Sequence, residues 1–415
     1  MQERKGGFGA GVLTGILIGV AVLGCLCWLG ILVFLGTGAR IVSGDTPGGA
    51  PAPGSSVTPS VKSKFLTQEE MEKLDGLFEI ISDDYLYEVK RDELVEGIYH
   101  GLFDALNEPY STYYTAEEYA TVTEESSGSY VGIGVSVSTD KDTGLIHVMR
   151  VFKGSPAEEA GLRENDLIMS ADGTDLRDMD LNIAVTYIRG EENTKVHVVW
   201  MRDGVQMEND VARRQIENET VTWEMLDDNI GYILLAEFDT VSSNQFATAM
   251  KDLEAQGMKG LILDLRSNPG GLVNVATDIA GEFLPKGVVT TLRDKKGNEE
   301  TYRIRDNVYS DVPLVVLINE NSASASELLT AALMDNDRAS VVGVVSFGKG
   351  IVQEVLGYGD GSGIRLTIAD YYSPKGTNIH GVGITPDVIV ENDPDTEADE
   401  QLDRALEEIR KRMGQ

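Results

Sequence analysis

The sequence predicts a mixed α/β (α+β) fold, in which an α/β core follows a transmembrane helix, a helical module and a small β-rich domain. Three observations support this prediction. An uncharged stretch of 34 residues separates Lys5 from Arg40, short strands dominate from residue 129, and strand and helix patterns alternate over residues 220–390. A chain of 415 residues exceeds one ordinary core, so two or three domains are expected.

The composition argues against several classes of function. The formal net charge of -33 disfavours nucleic acid as a partner, because a nucleic-acid-binding protein neutralises phosphates with clustered Lys and Arg. Both cysteines, Cys25 and Cys27, lie in the uncharged stretch, so none remains elsewhere for a disulfide or a thiolate nucleophile. The four histidines show no i, i+4 pair typical of zinc sites, and we therefore expect no metal and no cofactor.

Residues 1–40 are predicted to form an N-terminal membrane anchor. A membrane-spanning helix needs about 20 apolar residues, and the uncharged stretch is longer than the apolar core of a cleaved signal peptide. A retained anchor is favoured over lipid attachment at Cys25, because mostly apolar residues continue beyond it. Arg4 and Lys5 precede the stretch, which predicts a single-pass protein of the cell membrane with the large portion after the stretch outside the cytoplasm.

Residues 41–64 are rich in Pro, Gly, Ser and Thr and are predicted to be a flexible linker. Residues 65–127 follow as a helical module, in which Thr67 and Glu70 form a capping box and apolar residues recur at helical spacing. The segment 393–415 is predicted to be a charged C-terminal helix. The helices within residues 66–107 and 396–413 are candidate surfaces for a homodimer.

Residues 128–214 are predicted to form a β-rich domain with two short helices. Ser155 caps the first helix and Gly161 follows its end. The dipeptide Asp203-Gly204 predicts a hairpin turn between two later strands.

This segment resembles a PDZ domain through YVGIG, SPAEEAGL and the NDLI sequence that follows them. In PDZ domains a peptide adds a strand to the sheet, and backbone N–H groups of a Gly-containing loop hold its terminal carboxylate. The resemblance implies that Val131, Gly132, Ile133 and Gly134 form the peptide-binding loop. The alternative is that both glycines serve a bulge or turn.

Residues 215–392 are predicted to form the α/β core. Two of its buried strands end in loops that lead into helices, Ser267–Gly271 and Glu320–Glu327. Ligands of open α/β sheets gather at such strand ends, and helix N-termini offer free N–H groups that stabilise an oxyanion. The later segments QEVLGYGD and GIRLTIADYYS are predicted to be antiparallel strands.

Ser324 has two interpretations. With Glu327 it forms the S-x-x-E capping box of a helix, and it is also a candidate nucleophile, which needs a base. His380 lies in a turn-like segment without an evident acidic partner, and Lys349 lies between two glycines. A lysine acts as a base only if its pKa falls from about 10.4 toward neutrality. Spacing alone leaves both bases open.

Four segments in order, DLRSNPGG, VVLINENSASASE, VVSFGKGIVQ and GITPD, resemble the carboxyl-terminal processing peptidases, also called tail-specific proteases. The resemblance covers roughly residues 66–390 and implies a Ser-Lys peptidase core with an inserted PDZ domain. It implies that Ser324 is the nucleophile, Lys349 the base and Gln353 their assisting residue. It also implies that the backbone N–H groups of Gly270 and Ala325 stabilise the oxyanion.

The implied protein is a membrane-anchored serine endopeptidase that binds protein substrates by apolar carboxyl-terminal tails. The alternative is a PDZ-based scaffold whose peptidase fold is inactive. The segment LNEPYSTYY also resembles the family, with Glu108 in place of the usual Asp. We expect this departure to lie outside the catalytic motifs.

Overall fold

The computed structural model describes residues 65–140, 143–304, 309–393, 396 and 398–414. The predicted membrane anchor and linker, residues 1–40 and 41–64, lie outside the described residues. No helix formed by the residues that are described is long and apolar enough to cross a membrane. The chain divides into two compact units, of which one is Glu124–Glu219 and the other comprises the residues before and after it.

The N-terminal module is helical, as predicted. Its elements are α1 (Gln68–Asp84), α2 (Arg91–Asp104), β1 (Thr112–Tyr114) and α3 (Ala116–Ser127). The predicted capping box starts α1, where the Thr67 N–H donates to the Glu70 carboxylate at 2.7 Å. Neither α1 nor α2 contains a buried residue, so the apolar positions of both helices remain exposed or half-buried.

The unit Glu124–Glu219 is the predicted β-rich domain. Its strands form a main sheet in the order β3-β4-β5-β7-β8, with β6 beside β5, and a separate antiparallel pair of β2 and β9. The elements are β2 (Ser129–Gly132), β3 (Val135–Thr139), β4 (Ile146–Val151), α4 (Pro156–Ala160), β5 (Leu167–Ala171), β6 (Thr174–Asp175), α5 (Leu181–Ile188), β7 (Lys195–Arg202), β8 (Val205–Ala212) and β9 (Arg214–Glu217).

The helix cap, helix end and hairpin turn predicted for this unit are confirmed. The Ser155 side chain accepts a hydrogen bond from the Glu158 N–H at 3.2 Å, and Gly161 ends α4 with a φ of 92°. Asp203 and Gly204 both have positive φ between β7 and β8, which is the conformation of a two-residue hairpin turn.

The larger unit is built on a six-stranded sheet in the order β10-β11-β12-β15-β16-β19. Apart from the antiparallel pair of β10 and β11, its neighbouring strands are parallel. The strands are β10 (Val221–Leu226), β11 (Ile230–Leu235), β12 (Gly260–Asp264), β15 (Leu314–Ile318), β16 (Ser340–Gly343) and β19 (Val388–Ile389). Every residue of β12 and β15 is buried, because both faces of the sheet are covered.

Helices cover the two faces of this sheet. Three of them, α6 (Ser242–Ala255), α7 (Val273–Gly281) and α8 (Ala325–Asp335), pack on the face that includes Leu261 and Leu263. The last helix, α9 (Glu400–Arg412), packs Ala405 and Ile409 on the other face. The apolar side of α9 is therefore buried in its own unit, and the expectation that this helix offers a dimer surface stays a prediction.

A second, antiparallel sheet lies in the same unit. Its central strand β18 (Gly363–Tyr372) pairs with β17 (Ile351–Gly357) along one edge and with β1 and β13 (Gly287–Asp294) along the other. The β17–β18 hairpin is confirmed. A further strand, β14 (Glu299–Ile304), pairs with β13 in a hairpin that the sequence did not predict, because most of its residues are exposed and polar.

Candidate active site

Ser324 lies where the loop after β15 enters α8, and its backbone is unusual. Its φ and ψ are 55° and −114°, and the residue is 1% exposed. Its N–H donates to Oε2 of Glu327 at 2.9 Å, which is half of the predicted capping box. An ordinary N-cap residue has extended backbone angles, whereas a strained conformation costs about 1–3 kcal/mol and is typical of functional sites. Capping alone therefore does not account for this residue.

Asn268 ties the loop after β12 to the loop that carries Ser324. Its side-chain amide donates to the Leu235 carbonyl at 2.7 Å. Its backbone carbonyl accepts hydrogen bonds from the Ala323 N–H at 3.0 Å and from the Ser326 hydroxyl at 2.9 Å. The PGG turn is consequently fixed beside the start of α8.

Gly270 reaches Ser324 at a distance that only glycine allows. Its φ is 108°, and a Cβ there would lie 2.7 Å from Cβ of Ser324 and 2.9 Å from the backbone nitrogen of Ala325. Ala325 is the first residue of α8, where an N–H has no acceptor within the helix. The Gly270 N–H donates to Oδ1 of Asn268 at 2.9 Å, so an oxyanion must share or displace this bond. The two oxyanion roles stay predictions.

Lys349, two residues before the start of β17, is 3% exposed. Its pKa falls from 10.5 to about 7, mainly through burial and also through the nearby Arg365, while Glu108 and Glu327 oppose the shift. A lysine with a pKa of about 7 is partly neutral at neutral pH and is able to accept a proton. The side chain therefore has the protonation behaviour that a general base requires.

Glu327 joins the nucleophile loop to the lysine loop. Its Oε2 accepts hydrogen bonds from the backbone N–H groups of Ser324 at 2.9 Å and Lys349 at 2.8 Å. Its Oε1 accepts from the Ser346 hydroxyl at 2.5 Å and from the Gly348 N–H at 2.7 Å. Backbone N–H groups only donate, so the ionised carboxylate satisfies them best, although burial raises the pKa of Glu327. The sequence identified this residue only as part of a helix cap.

Gln353 lies in β17 and is fully buried. Its Nε2 donates to the Thr367 hydroxyl at 3.2 Å, whereas its Oε1 is buried without a hydrogen-bond partner among the described residues. An ammonium group is a suitable donor for that oxygen. Assistance of Lys349 by Gln353 stays a prediction.

His380, the alternative base, is exposed, whereas Ser324 and Lys349 are buried. Its backbone N–H donates to Oδ1 of Asn378 at 2.7 Å in the turn before β19. Within the described ranges, no group of three or more His, Cys, Asp or Glu side chains is arranged to hold a metal ion. The geometry favours Lys349 over His380.

The segment LNEPYSTYY, which lies outside the catalytic motifs of the sequence, borders the site in the structure. The Glu108 carboxylate raises the pKa of Lys349, and it accepts a hydrogen bond from the Thr367 hydroxyl at 3.3 Å. Sequence reasoning missed Glu108, Tyr110, Arg365 and Thr367 because the pairing of β1 with β18 joins residues about 255 positions apart. The only signal was the resemblance of the segment itself.

The unit Glu124–Glu219 contains a groove of about 280 Å³ between β3 and α5. Three of the four predicted peptide-binding residues line it, Gly132, Ile133 and Gly134, and Val131 does not. A Cβ on Gly134 would lie 2.3 Å from Cβ of Ser155, so close packing against Ser155 by itself requires a glycine at this position. Peptide binding by this loop stays a prediction.

Comparisons with known proteins agree with this architecture. The model of peptidase family S41 matches residues 229–390, that of the activating protease CtpB N-terminal domain residues 51–118, and that of the PDZ domain residues 147–202.

Three relatives are similar over most of their length. The carboxy-terminal processing protease CtpA of Bacillus subtilis is 38% identical over 332 residues, which cover 80% of this chain and 71% of that protein. The carboxyl-terminal-processing protease of Synechocystis sp. is 37% identical, over 69% of this chain and 68% of the relative. The protease CtpB of Bacillus subtilis is 33% identical, over 85% and 73%.

Proposed function

Since this chain belongs to peptidase family S41 and its carboxy-terminal processing serine proteases, we propose that Ser324 is its nucleophile and Lys349 its general base. The observation that carries this proposal is the shared acceptor Oε2 of Glu327, which binds the backbone N–H groups of both residues. The lowered pKa of Lys349 supports the role of this residue as a base.

The reaction begins with the attack of the Ser324 hydroxyl oxygen on the scissile carbonyl carbon, while neutral Lys349 Nζ accepts the hydroxyl proton. When the C–N bond of the tetrahedral intermediate breaks, Lys349 gives this proton to the leaving amine, and the acyl group remains on Ser324. A water molecule then attacks the acyl carbon and gives its proton to Lys349. Collapse of the second intermediate releases the new carboxyl end and returns the proton to Ser324.

Two kinds of contact assist these steps. The backbone N–H groups of Gly270 and Ala325 stabilise the negative oxygen of each tetrahedral intermediate. The Oε1 atom of Gln353 accepts a hydrogen bond from the Lys349 ammonium that forms after each proton transfer. The close approach of Gly270 to Ala325 supports the first role, and the second is supported by the buried Oε1 of Gln353, which has no hydrogen-bond partner in the part of the chain that is described.

The PDZ domain supplies substrate recognition in this proposal. The groove between β3 and α5 takes a protein tail as an added strand, with apolar side chains of the tail against Val135, Phe152 and Ile188. The apolar lining supports a preference for apolar over acidic tails.

We also propose, from the sequence, that residues 1–40 anchor the protein in the cell membrane with the catalytic portion outside the cytoplasm. The uncharged stretch between Lys5 and Arg40 supports this.

A second copy of the chain is the proposed occupant of the apolar surface on the N-terminal helices. Large apolar residues are exposed along this region, including Leu77 at 47%, Ile80 at 59% and Leu86 at 82%. Exposed patches of this kind mark interaction sites. Replacement of Leu77 and Ile80 by Glu is expected to halve the mass measured by light scattering, and an unchanged mass would exclude this dimer surface.

The proposed function is tested with the full-length protein in detergent and a folded substrate that carries either an apolar or a doubly acidic tail. Mass spectrometry identifies the cut sites. We expect cleavage of the apolar-tailed substrate, and a loss of at least about 10³-fold in kcat/KM in Ser324→Ala and Lys349→Ala. The exposed lysine variant Lys375→Ala is the matched control and retains activity.

Undiminished cleavage by either Ser324→Ala or Lys349→Ala would refute the catalytic assignment. Equal cleavage of both tails would refute tail recognition through the groove. Binding of the apolar tail by the unmodified protein without any cleavage would instead favour the scaffold alternative.

A further inference from the structure

The segment Glu108–Ser111 connects the N-terminal helices to the antiparallel sheet and is fixed on β18. The Arg365 guanidinium donates to the Tyr110 carbonyl at 2.8 Å, and the Thr367 N–H donates to the Ser111 hydroxyl at 2.9 Å. Directly afterwards, β1 pairs with β18. The main chain of Tyr110 is thus held against β18, the strand that pairs with β17 directly after the base.

Glu108 fixes this segment from within. One carboxylate oxygen accepts the Tyr110 N–H at 2.9 Å, and the other accepts the Ser111 N–H at 2.8 Å and the Thr367 hydroxyl at 3.3 Å. Because Thr367 also accepts a hydrogen bond from Gln353, the segment is linked to the proposed assisting residue. A rigid turn therefore presents Tyr110 beside the base.

The Tyr110 ring lies over the ammonium nitrogen of Lys349, which is 4.9 Å from the ring centroid. Two effects of opposite sign follow. The ring displaces water from the amine, which disfavours the charged form, and its π face attracts a cation, which favours the charged form. Lys349 is 3% exposed, and burial is the first cause of its lowered pKa, ahead of the charges of Arg365, Glu108 and Glu327.

We infer that Tyr110 is a positioning residue for Lys349. The Tyr110 ring shields the Lys349 amine from water, and the N-terminal module thereby completes the active site. This inference rests on the proposed Ser324–Lys349 mechanism. The charged groups around Lys349 are Glu108 on the same segment, Arg365 on β18 and Glu327 on α8. Substitution of Tyr110 leaves all three side chains in the protein, so its effect reports on the ring.

The inference is tested by two pH titrations of the full-length protein in detergent. The first is the pH profile of kcat/KM on the apolar-tailed substrate. The second uses the Ser324→Ala background, in which competitive acetylation with acetic anhydride, followed by mass spectrometry of the Lys349 peptide, gives the pKa of this lysine without activity. Tyr110→Ala is the main variant, Tyr110→Phe keeps the ring, and Tyr358→Ala removes an exposed tyrosine from the turn between β17 and β18 as a control.

In Tyr110→Ala we expect both midpoints to rise by about one pH unit, because water reaches the ammonium. Tyr110→Phe and Tyr358→Ala are expected to keep the midpoints of the unmodified protein. If Tyr110→Ala does not fold, Tyr110→Val carries the test, with a rise in the same direction.

An unchanged or lowered midpoint in a folded Tyr110→Ala or Tyr110→Val protein would overturn the inference, since a lowered midpoint means that cation attraction outweighs exclusion of water. Failure of the proposed function is distinguishable, because it appears as full activity of Lys349→Ala. The acetylation midpoint then still shows whether the Tyr110 ring excludes water from the Lys349 amine.

Discussion

The backbone N–H groups of Ser324 and Lys349 donate to the same atom, Oε2 of Glu327, at 2.9 and 2.8 Å. The two residues are 25 positions apart in sequence, and each lies at the edge of a different element, α8 and β17. One buried carboxylate thereby sets where the nucleophile and the base stand relative to each other.

Replacement of Glu327 by Gln is expected to lower kcat/KM by about 10- to 100-fold. Each Glu327 oxygen accepts two hydrogen bonds, so the amide nitrogen of a Gln side chain faces two donors in either of its two positions. A buried donor left without its acceptor costs about 1–3 kcal/mol. The matched control is Glu354→Gln, in the same strand as Gln353 but half-exposed. Steady-state kinetics of both variants checks this prediction, and equal activities would show that Glu327 has no positioning role.

The pH profile of kcat/KM is expected to have an acid limb with a midpoint near pH 7, because burial lowers the pKa of Lys349 to about 7. Only the neutral amine accepts the Ser324 proton, so activity falls about tenfold per pH unit below the midpoint. A profile that stays flat from pH 5 to 9 would argue against a lysine base of this pKa.

Lys349→Met is expected to raise the free energy of unfolding at neutral pH. The folded-state pKa of about 7 lies below the ordinary value of 10.5, so the folded protein binds the proton more weakly than the unfolded chain. The penalty in the unmodified protein is on the order of 1.4 kcal/mol per pKa unit, is complete below pH 7 and disappears as the pH rises toward 10.5. Denaturant titrations at pH 6, 8 and 10 test this sign, with exposed Lys375→Met as the control.

Gly270→Ala is expected to lower kcat/KM by at least about 100-fold, because the added Cβ would lie 2.7 Å from Cβ of Ser324 and displace an oxyanion donor. Gly287→Ala is a matched control, with a φ of 133° and no atom within 4 Å of its added Cβ. Both variants lose stability from the positive φ, by about 1 kcal/mol or more, but only the first is expected to lose activity. Activity retained by a folded Gly270→Ala would place the oxyanion elsewhere.

Much of the fold was predictable because its signals are local. The buried strand GLILD, the capped helix after Ser155 and the Asp203-Gly204 turn each depend on residues within a few positions of one another. The β13–β14 hairpin escaped prediction because most residues of β14 are exposed and polar, and because β13 pairs with β18, which is distant in sequence.

The candidate site likewise contains residues that local motifs predict and residues that only the fold brings together. Ser324 and Lys349 belong to short motifs, so resemblance located them in the sequence. Glu327 was visible three residues after Ser324, but its bonds to Ser346 and Gly348 come from another loop and have no sequence signature. Tyr110 contacts Lys349 only because the antiparallel sheet joins distant segments.

Covalent labelling of the nucleophile tests the central claim most directly. A fluorophosphonate probe reacts with a serine whose hydroxyl is activated by a base. In the full-length protein we predict one adduct on the peptide that contains Ser324, at a rate that rises with pH through about 7, and no adduct in Lys349→Ala. An adduct on another serine, or undiminished labelling of Ser324 in Lys349→Ala, would contradict the assignment.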